Sequence, residues 1–304
     1  RIIIDAKGKS NNSKVIFIPP YSYVLNTVEN NVSKYFDLSI NIGNDVTNII
    51  TENYKDIERI YNSIRKAENR EYIQNIIKNE YSTNTEISLL STMATNEEVK
   101  LVNESTFVNV YYIDDNFTLW NFYGGNQEWY ADVSEKNNGC GPVAAANITA
   151  YLAQKDSSKY GNLYNLPSTA QHHFLKHMYD LYDALDPGIF GVYSLIDFKT
   201  RVESFALTRG VSLSDNYIFC NDLLYNVSEF IKYGLSQDCP VACLNLQITY
   251  LYGYHWMTIT KYFRDAVTDD RWIAVSTWGE RRSINFKEYY DSAHTWGGGF
   301  VFFY

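Results

Sequence analysis

Residues 137–148 read NNGCGPVAAANI, and this stretch places Cys140 in a glycine-flanked turn at the start of an alanine-rich helix. Pro142 favours a helix start, because the N–H group that proline lacks would have no partner in the first turn. Unpaired N–H groups and the helix dipole favour negative charge at this end, so we expect the thiol pKa to fall below its usual value of about 8.5. The motif leaves two alternatives open, a reactive cysteine and a buried, inert one.

A candidate base for this thiol lies on a predicted strand. Residues 252–262 read YGYHWMTITKY, an aromatic and β-branched composition that favours a strand, and His255 lies near its beginning. Residues 272–279 read WIAVSTWG and predict a second strand that ends in Trp-Gly. A nucleophile and its base need only be neighbours in space, so the long separation between Cys140 and His255 is typical of a catalytic pair. The alternative is a packed core histidine with satisfied ring nitrogens.

The order of these segments resembles that of the papain-like cysteine peptidases, and most of all the branch related to the C39 peptidases. In that branch the nucleophile lies in a Cys-Gly-Pro turn and a His-Trp pair opens a strand, as Cys140 and His255 do here. The resemblance covers about residues 129–304. It implies an α+β fold in which a helical subdomain that carries the nucleophile packs on an antiparallel sheet. It also implies a peptidase that acts through a Cys140 thiolate, His255 and a thioester intermediate.

The residue that orients the histidine departs from the family pattern. Papain has an Asn-Ser-Trp-Gly run after the histidine strand, and the matching run here is Ser276-Thr277-Trp278-Gly279. A serine hydroxyl can accept the imidazole N–H bond, but it carries no charge to stabilise the imidazolium. We therefore expect Ser276 to be the third member of the site, with Thr277 as the neighbouring alternative. The resemblance implies that Trp278 shields the His255–Ser276 bond from water; otherwise it is a core tryptophan.

The oxyanion hole also departs from the pattern. Papain-like enzymes place a glutamine about six positions before the nucleophile, where this chain has Ser134. The candidate donors are the side chains of Gln127, Asn137 and Asn138, together with the backbone N–H of Cys140. Such donors stabilise the tetrahedral oxyanion, and removing one costs about 10²–10³ in rate. Gln127 is chemically the same as the papain glutamine, but it needs a longer loop to reach Cys140. The two asparagines are also typical turn residues.

The first hundred residues have no counterpart in this family and are predicted to form an α/β extension. Residues 15–18 favour a short strand, and apolar residues spaced three or four apart favour helices over about 45–81. Residues 91–100 are mostly small and polar, as in an exposed linker or nicking site. We expect residues 1–100 to form a propeptide-like region and residues 101–304 to form the peptidase domain. The alternative is a permanent domain that positions substrate or anchors the enzyme.

Composition argues against other classes of function. The chain has 304 residues and a net charge of −9, which disfavours a nucleic-acid binder because phosphate backbones require a basic face. No run approaches the ~18 apolar residues of a transmembrane helix, so the transporter-linked form of C39 peptidase is not expected. Residue 1 is Arg rather than Met, which predicts that a preceding segment was removed, either a cleaved signal peptide or a stretch trimmed for expression. We expect a secreted or cell-surface protein. The low cysteine content fits a cytoplasmic protein equally well.

No cofactor or metal is predicted. His172, His173 and His177 cluster on one predicted helix, but the glutamate of the H-E-x-x-H pattern is missing, so we expect a solvated helix face. The predicted partner is a peptide or protein substrate, and the sequence indicates no oligomeric state. Two alternatives to a peptidase stay open. One is another acyl-transfer enzyme, such as an amidase, isopeptidase or transpeptidase, and the other is a catalytically inactive relative that serves as a binding module.

Overall fold

The protein is a mixture of helices and antiparallel sheets that divides into two compact units, residues 1–68 and residues 69–304. The structure is a computed structural model that describes residues 14–18, 22–29, 32–37, 45–52, 96–188, 191–246, 252–296 and 298–304. The predicted α+β class is confirmed at this level. Across these described residues, no helix combines the length and the apolar character that crossing a membrane requires.

The described residues of the first unit form a three-stranded antiparallel sheet in the order β1-β2-β3 and one short helix. The elements are β1 (Lys14–Ile18), β2 (Ser22–Glu29), β3 (Val32–Asp37) and α1 (Thr47–Glu52). The helices that the sequence predicts over 45–81 lie outside the described residues beyond position 52.

The second unit is built on a seven-stranded sheet whose main path runs β11-β10-β9-β8-β12-β7. All its pairs are antiparallel, and β4 pairs with β9 off this path. A separate hairpin joins β5 and β6. The strands are β4 (Glu97–Lys100), β5 (Asn109–Ile113), β6 (Leu119–Tyr123), β7 (Asp215–Phe219), β8 (Val241–Asn245), β9 (His255–Arg264), β10 (Arg271–Thr277), β11 (Glu280–Asn285) and β12 (Gly298–Phe303).

The long helix α3 packs on β8 and β9, and the helices next to it in the chain pack against it. The helices are α2 (Val133–Asn138), α3 (Cys140–Lys155), α4 (Ser157–Tyr160), α5 (Gln171–Leu185), α6 (Leu195–Thr208), α7 (Leu224–Ser236) and α8 (Phe286–Trp296). All residues of α3 from Cys140 to Ala153 are buried. A helix that is apolar on every side belongs in a core, and the alanines at 144–146 let the sheet approach closely.

Strand β4 lies within the stretch that the sequence predicted to be a linker. The expectation of an exposed linker over 91–100 is wrong for Glu97–Lys100, because these residues pair with β9, from Glu97 opposite Arg264 to Lys100 opposite Lys261. Lys232 on α7 also forms an ion pair with Glu97. The sheet of the second unit therefore includes a strand that lies ahead of residue 101, where the sequence predicted the peptidase domain to start.

Candidate active site

The candidate nucleophile lies at the first residue of α3. A single residue, Gly139, separates α2 from α3. A side chain at this position would collide with the ring of Tyr130 and would lie 2.6 Å from the carbonyl oxygen of Glu135. Glycine thus permits the sharp junction that brings Cys140 to a helix N-terminus. The helix begins two residues before Pro142, whose missing N–H is one of those with no helical partner.

The thiol of Cys140 is enclosed by protein, and this burial determines the direction of its pKa shift. Cys140 is 9% exposed, and burial raises the pKa of its thiol above the usual range. The backbone N–H groups of Trp256, Gly141 and Cys140 itself act in the opposite direction. The expectation of a lowered thiol pKa is therefore wrong for this enclosed state, because loss of hydration outweighs the helix end.

His255 is the first residue of β9 and lies in the same enclosure. Its Nε2 lies 2.8 Å from Oγ1 of Thr277, the last residue of β10. Burial alone lowers the pKa of the imidazole to about 4. Among the described residues no charged group contributes to this shift, and the hydroxyl that contacts the ring is itself neutral.

Ser276 does not make the predicted contact with His255. Its Oγ donates to the carbonyl oxygen of Tyr123 at 2.5 Å and accepts from Nδ2 of Asn147 at 3.2 Å. Both residues line the cavity, but the hydroxyl of Thr277 lies within hydrogen-bonding distance of the imidazole, whereas Oγ of Ser276 is bonded to Tyr123 and Asn147. The orienting contact is therefore made by Thr277, the alternative that the sequence left open.

Trp278 covers the imidazole. Its ring stacks on the ring of His255 with centroids 4.6 Å apart and planes at 14°. Tyr252 stacks on Trp278 at 6.0 Å, and the guanidinium of Arg282 lies 5.9 Å from the Trp278 ring. Trp278 has φ +48°, a left-handed conformation that is uncommon for a bulky residue. This conformation places the indole over the imidazole rather than in the core.

The three predicted oxyanion donors are placed differently. Gln127 opens a short 3₁₀ turn, lines the cavity beside Cys140 and donates from Nε2 to the carbonyl oxygen of Lys136 at 2.9 Å. Asn137 and Asn138 form the end of α2, and neither is among the residues that line the cavity. Gln127 is thus the candidate donor that the fold brings to the thiol.

The cavity is narrow, with a volume of about 10 Å³. That is about the space of one water molecule. It brings Cys140 and His255 together with four other residues that the sequence singled out, Gln127, Ser276, Thr277 and Trp278. The lining residues are Gln127, Cys140, Val143, Ala144, Asn147, His255, Trp256, Met257, Ser276, Thr277 and Trp278.

One lining residue was missed in the sequence. Asn147 lies two helical turns beyond Cys140 and is only 1% exposed. Its Oδ1 accepts from the backbone N–H of Gly125 at 2.8 Å, and its Nδ2 donates to Ser276. A lone asparagine in an alanine-rich helix is the signal that identifies it, because burying an amide is costly unless it is hydrogen-bonded.

The histidine cluster is not a metal centre in the described part of the chain. No group of three histidine, cysteine, aspartate or glutamate side chains is arranged there to hold a metal ion. The expectation of a solvated face is wrong for His177, which is 1% exposed and whose Nε2 lies 2.8 Å from Oγ1 of Thr149. His173 bonds through Nδ1 to Ser168 at 2.9 Å.

No protein-family model matches the sequence, and a search of curated proteins found none that is similar to it. A search of solved structures matched UfSP from C. elegans with a TM-score of 0.40 and 11% sequence identity. The match covers 72% of this chain and 36% of that chain, so this chain spans about a third of the length of the matched structure. A likeness at this level leaves the function to be argued from the site.

Proposed function

We propose that this protein is a cysteine peptidase of the papain-like fold that hydrolyses peptide bonds through Cys140 and His255. One observation carries the proposal. A cysteine at a helix N-terminus and a histidine oriented by Thr277 line the same cavity, with the amide of Gln127 beside them. Nucleophile, base, orienting group and oxyanion donor are the parts that acyl transfer requires.

The proposed mechanism uses Thr277 as the hydrogen-bond acceptor of the imidazole. In it, Nε2 of His255 carries the proton and its N–H donates to Oγ1 of Thr277, 2.8 Å away. Nδ1 of His255 is then the nitrogen that accepts a proton. It takes the thiol proton of Cys140 as the sulfur attacks the carbonyl carbon of the scissile bond.

Two donors stabilise the oxyanion of the tetrahedral intermediate. They are the second N–H of the Gln127 amide, whose first bonds to Lys136, and the backbone N–H of Cys140. When the intermediate collapses, the C–N bond breaks, Nδ1–H of His255 protonates the leaving amine, and a thioester remains on Cys140. Nδ1 is then bare again.

Hydrolysis of the thioester closes the cycle. A water molecule gives one proton to Nδ1 of His255 and attacks the thioester carbonyl. The C–S bond breaks, the acid product departs, and the proton on Nδ1 returns to the sulfur of Cys140. Each turnover thus consumes one water and one amide bond, and it restores the neutral thiol and the neutral imidazole.

This pair is neutral before substrate binds. The raised pKa of Cys140 keeps its thiol protonated at neutral pH, and the pKa of His255, about 4, keeps its ring uncharged. The proton therefore moves together with the nucleophilic attack, in contrast to a preformed thiolate–imidazolium pair. Other acyl transfers, by an amidase, isopeptidase or transpeptidase, would use the same steps with a different leaving group or acceptor.

A second candidate function is a binding module without catalysis. The small cavity favours it, because about 10 Å³ does not admit the carbonyl group of a substrate without movement of the cavity walls. Burial favours it as well, since it raises the pKa of the Cys140 thiol and lowers that of the His255 imidazole, which disfavours an ion pair between them. Activity measurements separate the two candidates.

The test is a digest of a proteome-derived peptide library by the full chain, set beside a digest of cell-wall fragments, with products identified by mass spectrometry. We expect new peptide termini with the wild type and none with Cys140→Ala. Cys239→Ala is the matched control, because Cys239 is also a buried free cysteine but lies after α7, outside the cavity. It is expected to cut as the wild type does.

If only the cell-wall fragments are cleaved, the proposed peptidase activity is wrong and the protein is an amidase. Cleavage by Cys140→Ala at the wild-type rate would overturn the role of the thiol. Failure of the wild type to cleave either substrate set would favour the binding module.

A further inference from the structure

Asn147 and Ser276 form a buried polar pair that the reaction steps do not use. Both side chains are 1% exposed. Asn147 stands on α3, and Ser276 stands on β10, next to Thr277. The amide nitrogen of Asn147 donates to Oγ of Ser276 at 3.2 Å. The pair joins the helix of the nucleophile to the strand of the orienting threonine.

The same pair holds a third segment, the one that leads into Gln127. Oδ1 of Asn147 accepts from the N–H of Gly125 at 2.8 Å, and Oγ of Ser276 donates to the carbonyl of Tyr123 at 2.5 Å. From the other side, the N–H of Gly279 donates to the carbonyl of Gly125 at 2.9 Å. The backbone on both sides of residue 124 is therefore fixed to α3 and to β10.

Gly124 shows how closely the segment is held. It has φ +83°, and a side chain there would lie 2.5 Å from Oγ of Ser276 and 2.6 Å from Oδ1 of Asn147. A left-handed glycine is thus required for the backbone to approach the pair. Gln127 follows three residues later and is one of the residues that line the cavity.

We propose that Asn147 and Ser276 are positioning residues that set the place of the Gln127 amide relative to the sulfur of Cys140. This inference rests on the proposed function. Asn147 lies on the helix of Cys140 and Ser276 lies on the strand of Thr277. Both bond to the segment that leads into Gln127. A small displacement of an oxyanion donor costs rate because it weakens a bond that forms only in the transition state.

The experiment compares Ser276→Ala and Asn147→Asp with the wild type on the library peptide that the wild type cleaves best. We expect kcat to fall about 10- to 100-fold with KM changed by less than about threefold, because the interaction strengthens only in the transition state. Alkylation of Cys140 by iodoacetamide is the second readout. Its rate is expected to stay within about twofold, because attack on a saturated carbon builds no oxyanion.

A double-mutant cycle with Gln127→Ala tests whether the pair acts through Gln127. If it does, Gln127→Ala combined with Ser276→Ala is no slower than Gln127→Ala alone, whereas independent effects would multiply. Thr149→Val is the matched control, since it removes a buried hydroxyl that bonds within α3 and to His177, away from the segment. Thermal unfolding of each variant reports its loss of stability.

Wild-type kcat in Ser276→Ala, multiplicative losses in the cycle, or an equal fall in the alkylation rate would each overturn the positioning role while leaving the peptidase in place. If the wild type cleaves no substrate, the proposed function fails, and the positioning role falls with it.

Discussion

Nε2 of His255 lies 2.8 Å from the hydroxyl oxygen of Thr277, and both residues are buried. A threonine hydroxyl can accept from the ring as the amide oxygen of asparagine does, but it can also donate to the ring, and neither group adds a charge beside the imidazolium. This explains why burial alone sets the pKa of the imidazole, at about 4. The relationship leads to the first two predictions.

Removing the hydroxyl of Thr277 is expected to slow the enzyme. Thr277→Val keeps the shape but leaves Nε2–H of His255 without its acceptor, and a buried unsatisfied donor costs about 1–3 kcal/mol. We expect kcat/KM on the best library peptide to fall about 10- to 100-fold. Thr277→Ser keeps the hydroxyl and is expected to lose far less. Equal rates for Thr277→Val and the wild type would show that another group orients the ring.

Uncovering His255 is expected to raise its pKa. Trp278→Ala removes the ring that stacks on the imidazole and admits water, so the pKa should move from about 4 towards its ordinary value of about 6.5. Histidine NMR titration measures this directly, with the resonance of His255 identified by its loss in His255→Gln. Trp272→Ala, a half-exposed tryptophan on the same hairpin, is the control and should leave the titration unchanged. An unmoved titration in Trp278→Ala would contradict the shielding.

The alkylation rate of Cys140 is expected to keep rising with pH through about 9. Its thiol pKa lies above the ordinary range, so the thiolate fraction still grows there. Iodoacetamide labelling followed by peptide mass spectrometry separates Cys140 from Cys220, Cys239 and Cys243. His255→Gln should leave the profile unchanged. A plateau between pH 5 and 8 that disappears in His255→Gln would instead reveal a preformed ion pair.

Acid is expected to destabilise the fold through His177. Burial lowers the pKa of this imidazole to about 3, so between pH 6.5 and 3 the unfolded chain binds a proton that the folded chain does not. The stabilising contribution is complete above pH 6.5 and is lost as pH falls, by about 1 kcal/mol per pH unit. Urea unfolding from pH 7 to 4.5 should show a shallower pH dependence in His177→Gln than in the wild type. Parallel curves would contradict the assignment.

A side chain at Gly139 is expected to disturb the junction that presents the nucleophile. Gly139→Ala forces its methyl group against the ring of Tyr130 and the carbonyl of Glu135, and overpacking of this kind costs about 1–3 kcal/mol. Gly161→Ala is the matched control, because the nearest atom, Cβ of Ser157, lies at an ordinary contact distance of 3.8 Å. Denaturant unfolding should separate the two variants, and equal stability would show that the junction adapts.

The nucleophile helix was predictable because its signals are local. Pro142 and the alanines that follow predicted a helix over 142–154, and the structure has it over Cys140–Lys155. The strand of His255 was predictable for the same reason, from its aromatic and β-branched residues. By contrast, α8 was missed, because the sequence from residue 240 onward favoured mostly strands.

Local sequence signals could not show whether Ser276 or Thr277 orients the imidazole of His255. Both faces of β10 are buried from Ile273 to Thr277, so no alternation of polar and apolar residues marks the side that faces the imidazole. A shift of register between Ala274 and Val275 in the pairing with β9 adds to the difficulty. A one-residue slip exchanges the two faces of a strand, and only the paired structure shows it.

Strand β4 limits how the chain can be processed. Glu97–Lys100 pairs along the strand that carries His255, and the N–H of Leu101 donates to the carbonyl of Thr260 at 3.0 Å. A protease that cut at residue 100 would remove β4 from the sheet and expose the backbone of β9, the strand that carries His255, to water. Release of the second unit with its sheet intact therefore requires a proteolytic cut upstream of Glu97. A recombinant form of this unit has to keep residues Glu97–Lys100.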